Sequence, residues 1–128
     1  MTVPHPLRRA SVGLMMLVGA SLGSPREVQA SEFGACRMSP ITFYSSEQYP
    51  GRTADGTSTV GALARGDWIA AGGSSFRLGD VVDVDGIGQY RIADRGHLSA
   101  DQVDILVWTT AEAIQLGRQY RRVCVVEQ

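Results

Sequence analysis

Short stretches in which apolar and polar residues alternate recur along this chain, and they predict β-strands rather than long helices. Residues 81–85 and 89–93 flank Gly86-Ile87-Gly88, a turn that predicts an antiparallel hairpin. The dipeptides Pro50-Gly51 and Asp55-Gly56 predict a loop over 48–56. The predicted strands cover residues 39–46, 67–71, 81–85, 89–93, 103–108 and 122–126.

One helix is predicted close to the C-terminus. Thr109 and Glu112 have the spacing of a capping box, and Gly117 is a suitable helix stop. The helix is therefore short, about two turns. Six short strands, glycine-rich turns and one short helix predict a mainly β fold, a small six-stranded barrel.

The first thirty residues have a different pattern, typical of a cleavable signal peptide. Arg8 and Arg9 precede an apolar run over 12–22, and Val28-Gln29-Ala30 ends in a small residue. The run is shorter than the about 20 apolar residues that a membrane-spanning helix needs. We therefore expect cleavage after Ala30, no stable membrane anchor, and export to the periplasm, the outer-membrane surface or the medium.

Two cysteines remain after this cleavage, Cys36 and Cys124. In an oxidising compartment they predict one disulfide, the alternative being two unpaired buried thiols. Cys36 follows Gly34-Ala35, as a lipidated cysteine would, but the polar stretch 26–32 separates it from the apolar run. We favour soluble export. The exported part is predicted to be one domain, an N-terminal segment 31–39 with Cys36 and a barrel over 40–128.

Charge and histidine content exclude several classes of partner. The chain after Ala30 has nine arginines, no lysine and twelve acidic residues, so it lacks the basic excess of a nucleic-acid-binding protein. His97 is the single histidine after Ala30, and the two cysteines are far apart, so no zinc site is expected. We expect a monomer without metal or other cofactor.

Three groups of motifs follow one another in a specific order. They are Gly51-Arg52-Thr53-Ala54-Asp55-Gly56-Thr57, then Ile69-Ala70-Ala71-Gly72 with Arg77-Leu78-Gly79, then Ala93-Asp94-Arg95-Gly96 with Val103-Asp104-Ile105-Leu106. Their order and spacing over about residues 40–126 resemble the 3D domain, a double-psi β-barrel of bacterial cell-wall proteins and of MltA-type lytic transglycosylases. The segment 94–96 is also similar to that of rare lipoprotein A and of expansins.

This resemblance implies cleavage of peptidoglycan between N-acetylmuramic acid and N-acetylglucosamine. Asp104 matches the third family aspartate, the general acid, and Asp94 the second. Glycine stands at position 72, where the family has its first aspartate and lipoprotein A a histidine, and the 94–104 loop is one residue shorter. A non-catalytic, expansin-like glycan-binding barrel is therefore the alternative. The predicted substrate-binding residues are Tyr44, Thr53, Gly56, Thr57, Arg95 and Gly96.

The residues themselves point to similar chemistry for Asp104. It lies within the apolar run 103–107, where burial and a second carboxylate at Asp94 would raise its pKa. One carboxyl group can serve as acid and then base, because the 6-hydroxyl of the muramic acid attacks its own anomeric carbon. Alternatively, both aspartates cap turns or pair with Arg91 or Arg95. Tyr44 and Trp108 fit sugar-stacking platforms and ordinary barrel aromatics equally well.

Overall fold

The computed structural model describes residues 35–128, so the predicted signal peptide lies outside the described residues. This part of the chain contains six strands and two short helices, and the predicted six-stranded β-barrel is confirmed. The elements are β1 (Cys36–Ser45), α1 (Thr59–Arg65), β2 (Ile69–Gly72), β3 (Val81–Val84), β4 (Gly88–Asp94), β5 (Val103–Val107), α2 (Thr110–Leu116) and β6 (Gln119–Glu127).

The six strands close into a barrel in the order β1-β5-β2-β4-β3-β6. Two pairs, β1 with β5 and β2 with β4, are parallel, and the other four pairs are antiparallel. The predicted hairpin of β3 and β4 is among the antiparallel pairs. Closure leaves no free strand edge within this sheet, since every strand has two neighbours.

Side chains alternate between the barrel interior and its outer face, as the period of a strand requires. The interior is filled by branched apolar residues and two aromatics, all fully buried: Ile41, Phe76, Val82, Val84, Tyr90, Ile92, Val103, Ile105 and Val123. Burying one such side chain contributes about 1.5–3 kcal/mol, so this layer is the main source of stability.

A second apolar cluster lies outside the barrel, under a helix that was not predicted. In α1, Ala62 and Leu63 pack on Ile69, Ala93 and Leu106. The end signals of this helix are present in the sequence: Ser58 Oγ accepts from the Gly61 N–H at 3.0 Å, and Gly66 ends the helix in the left-handed region at φ 75°. Seven residues are too few to show a helical hydrophobic period. The described residues therefore contain two helices where the sequence predicted one.

The second helix and the disulfide are as predicted. Thr109 Oγ1 accepts from the Glu112 N–H at 3.1 Å, and Gly117 ends α2. Cys36 and Cys124 are direct cross-strand partners between β1 and β6, and they form a disulfide across 88 residues of sequence. Within residues 35–128, no helix has the length and apolar character needed to cross a bilayer.

Candidate active site

Asp94 and Asp104 flank one residue of the barrel wall. Ala71 is the register partner of Asp94 on β4 and of Asp104 on β5. With strands spaced about 4.8 Å apart, the two aspartate backbones are about 10 Å from each other. Ala70 and Ile105 belong to the interior core, so Ala71 and Asp104 face outward. The register therefore brings the two predicted catalytic residues together on the outer face.

One oxygen of Asp104 is held by an oriented chain of hydrogen bonds. The Ser99 N–H donates to Gln102 Oε1 at 3.0 Å, and Gln102 Nε2 donates to Thr42 Oγ1 at 2.9 Å. Thr42 Oγ1 donates in turn to Asp104 Oδ1 at 2.8 Å. The amide occupies the acceptor side of the hydroxyl and so directs its proton to the carboxyl group. Oδ2 has no hydrogen-bond partner among the described residues.

The pKa of Asp104 is raised, the direction that a general acid requires. Burial is the largest cause, and the charge of Asp94 adds to it, while the hydrogen bond from Thr42 acts against it. Val103 and Ile105 do not surround the carboxyl group as expected, because their side chains alternate to the core. Leu106 alone among the predicted apolar neighbours has the same outward parity along β5.

Asp94 has a structural task as well. Its Oδ1 accepts from the N–H groups of Ala54 and Arg95, at 2.9 and 2.8 Å. Asp94 therefore attaches the 51–57 loop to the end of β4, which agrees with the turn-capping alternative for this residue. The ion-pair alternative is wrong within residues 35–128, because Arg91 pairs with Asp55 and Asp67 instead, at 2.7 and 2.8 Å.

Asp55 organises the loop that carries three of the predicted substrate-binding residues. Its Oδ1 accepts from the hydroxyls of Thr53 and Thr57, at 2.7 and 2.6 Å, and from the Thr57 N–H at 3.0 Å. Burial would raise the pKa of Asp55, but these hydrogen bonds and that from Arg91 lower it to about 2. Both threonine hydroxyls are thus engaged within the loop. Gly56 permits its tight turn with φ 89°.

Neither the guanidinium of Arg95 nor position 72 faces the two aspartates. The Arg95 guanidinium donates to the carbonyls of Gly72 and Gly73, at 3.2 and 2.9 Å, and so covers the end of β2. A Cβ at Gly72 would lie 3.1 Å from side-chain atoms of Ile92 and Phe76, on the core side. An aspartate at position 72 would therefore not join Asp94 and Asp104 on the outer face of this barrel. Gly96 is exposed in the loop that follows β4.

Tyr44 lies between the apolar cluster under α1 and the carboxylates. It is the register partner of Leu106 and packs on that cluster. Its hydroxyl is buried without a hydrogen-bond partner among the described residues. Burial raises the pKa of Tyr44, and the charges of Asp94, Asp104 and Asp55 raise it further. The hydroxyl thus remains protonated beside three carboxyl groups.

Thr42, Gln102 and Arg91 were missed as site residues. Thr42 and Tyr44 are two residues apart on the first predicted strand, so the alternation of a strand predicts both on the same face. Its contact with Asp104 depends on the parallel register of β1 and β5, which no local pattern shows. Within the described part of the chain, no three His, Cys, Asp or Glu side chains converge as metal ligands.

The sequence was compared with known proteins. No family model and no curated protein matched it. The arrangement around Asp104 is therefore the basis on which a function can be assigned.

Proposed function

We propose that this protein is an exported peptidoglycan-cleaving glycosidase of lytic-transglycosylase type. The observation that carries the proposal is the state of Asp104: a carboxyl group on the outer face of the barrel, with a raised pKa, one oxygen fixed by Thr42, and Asp94 across Ala71. These are the properties of a general acid. The resemblance to the 3D domain supplies the substrate, the bond between N-acetylmuramic acid and N-acetylglucosamine.

In the proposed mechanism, protonated Asp104 donates its proton to the glycosidic oxygen as the bond from the anomeric carbon breaks. Asp104 then accepts the proton of the muramic acid 6-hydroxyl, whose oxygen forms the new bond to the anomeric carbon. The products are a 1,6-anhydro sugar and a free 4-hydroxyl, and Asp104 is protonated again. Oδ2 is the oxygen available for both transfers, because Oδ1 accepts from Thr42. No metal or other cofactor takes part in these steps.

The barrel topology supports the double-psi assignment. A closed six-stranded barrel with two parallel pairs, β1 with β5 and β2 with β4, needs a crossing connection for each of these pairs. The motifs that resemble the family lie where these pairs meet: Ala71 on β2, Asp94 on β4 and Asp104 on β5. We therefore propose a double-psi β-barrel of the 3D-domain kind.

A second candidate is a glycan-binding barrel without turnover, similar to the expansin barrel. One observation favours it: Ala71, the outward-facing residue between the two aspartates, has no titratable group, and position 72 faces the core. No third carboxyl group on β2 therefore joins the pair. In this alternative, peptidoglycan strands bind beside Asp104 but are not cleaved.

Incubation of the purified protein with peptidoglycan sacculi, followed by mass analysis of the soluble products, tests the proposal. We expect 1,6-anhydromuropeptides from the wild type and none from Asp104→Asn, which keeps the shape but has no transferable proton. Asp94→Asn should slow release less and move its pH optimum. Wild type that releases nothing but pellets with sacculi would support the binding barrel, and reducing-end products would indicate hydrolysis instead.

We also propose that the chain works outside the cytoplasm as a monomer bound to peptidoglycan strands. The disulfide of Cys36 and Cys124 supports the location outside the cytoplasm, because such bonds persist in oxidising compartments. Intact mass of protein from the native host should show an N-terminus at Ser31 or within one or two residues of it. Retained Met1, or a lipid on Cys36, would contradict export by a cleaved signal peptide.

A further inference from the structure

Tyr49 is an exposed aromatic residue that the backbone holds in one place beside the candidate site. Its N–H donates to the Ser45 carbonyl at 3.0 Å, and its own carbonyl accepts from Thr59 Oγ1 at 2.8 Å. The loop that carries Tyr49 is thus attached to the end of β1 and to the start of α1. Even so, 58% of Tyr49 is exposed. Both backbone bonds restrict its position without covering its side chain.

The ring of Tyr49 adjoins the carboxylates through Tyr44. The two ring centroids are 5.8 Å apart in an edge-to-face arrangement with an interplanar angle of 71°. The hydroxyl of Tyr44 is within electrostatic reach of Asp94, Asp104 and Asp55. Tyr49 therefore contacts the aromatic ring whose hydroxyl is influenced by the reacting carboxyl group. An occupant that touches Asp104 with one sugar ring could reach Tyr49 with a neighbouring ring.

We propose that Tyr49 is a specificity-determining residue, a stacking platform for a sugar ring next to the one at Asp104. This inference rests on the proposed function and assigns it a preference for polymeric glycan over a single sugar. The apolar face of a pyranose ring packs well on an aromatic ring, which offers large area and little side-chain entropy to lose. Tyr44 cannot serve in the same way, because its hydroxyl end is buried.

The test measures how affinity depends on glycan length. The probes are a single N-acetylmuramic acid and a tetrasaccharide of alternating N-acetylglucosamine and N-acetylmuramic acid, titrated into the full exported protein with Asp104→Asn to prevent turnover. Adding Tyr49→Ala should reduce the affinity for the tetrasaccharide about five- to tenfold, the loss of about 1–1.4 kcal/mol. It should leave the affinity for the single sugar nearly unchanged. Tyr49→Phe should retain the preference for the longer glycan, because it keeps the ring.

Tyr120→Ala is the matched control. Tyr120 has a similar exposure, 62%, but lies on β6 opposite Pro40, with Arg118 over its ring. Its replacement should leave both affinities unchanged. If Tyr49→Ala still binds the tetrasaccharide as much more tightly than the single sugar as before, the role proposed for Tyr49 is wrong while the proposed function stands. If the protein with Tyr49 intact binds neither glycan nor sacculi, the proposed function fails, and the platform fails with it.

Discussion

The hydroxyl of Thr42 donates a 2.8 Å hydrogen bond to Oδ1 of Asp104, across the parallel pair of β1 and β5. A donor to a carboxylate favours its charged form, so Thr42 lowers the pKa that burial and Asp94 raise. Thr42 thus limits the pKa of the candidate acid through this hydrogen bond. This makes it a positioning residue whose effect can be separated from that of Asp104 itself.

Thr42→Val should raise the pKa of Asp104 further, because it removes the donor and keeps the side-chain volume. The expected result is an upward move of the Asp104 carboxyl titration, followed by carbon-detected NMR, and of the alkaline limit of any glycan cleavage. Thr42→Ser retains the hydroxyl and serves as the control. A titration that stays in place or moves down in Thr42→Val would contradict the role assigned to this hydrogen bond.

Asp104→Asn should stabilise the fold at neutral pH. The folded-state pKa of Asp104 is raised, so its contribution to stability is fully present at low pH and is lost as the pH rises through that value. An amide at position 104 carries no charge to bury and can still accept from Thr42. Urea unfolding at pH 7 should therefore show a more stable variant, with the difference gone near pH 3. A variant less stable than wild type at pH 7 would argue against a buried charge.

The pKa of Asp55 is shifted in the opposite direction from that of Asp104. Hydrogen bonds in the 51–57 loop and from Arg91 lower its pKa from 3.8 to about 2. The stability that these hydrogen bonds give is present above pH 3.8 and is lost as the pH falls through about 2. Asp55→Asn should therefore be less stable than wild type at pH 7, and the gap should close between about pH 4 and pH 2. Asp85→Asn, in the exposed turn after β3, is the control and should be as stable as wild type at pH 7.

The disulfide should contribute a large part of the stability of this small domain. It closes a loop of 88 residues between the first and last strands, which corresponds to about 4–5 kcal/mol of unfolded-chain entropy. A double Cys36→Ala, Cys124→Ala variant should lose about this much in urea unfolding. Thiol titration of the denatured, unreduced wild type should find none, and two reactive thiols there would contradict the bridge.

Gly73→Ala should disturb the loop between the two aspartates. A Cβ there would overlap the Ser99 carbonyl oxygen and lie 2.5 Å from that of Ala100, because the loop packs directly on the Gly73 backbone. We expect a loss of about 1–3 kcal/mol in unfolding free energy. Gly51→Ala is the control, since a Cβ at Gly51 meets nothing within 4 Å. Equal stability of the two variants would mean that the loop can move aside at no cost.

Local pattern alone was sufficient for much of the fold. Alternating or short apolar runs bounded by turn residues indicated all six strands, and Thr109 with Gly117 bounded α2 through capping chemistry. With two cysteines after Ala30, the disulfide had one possible intramolecular pairing. The sequence also indicated Asp104 as a candidate functional residue, since a carboxyl group inside an apolar run is costly to ionise.

Tertiary structure decided what surrounds each of these residues. Because side chains alternate along β5, Val103 and Ile105 point into the core, on the opposite face of the strand from Asp104. Parallel pairing brings Thr42 to Asp104, and the register shift between Ala70 and Ala71 sets Asp94 on the same residue of β2. α1 depended on the cluster beneath it, being too short for a periodic pattern. These features arise from contacts between distant segments, and sequence periodicity describes only the neighbours along one segment.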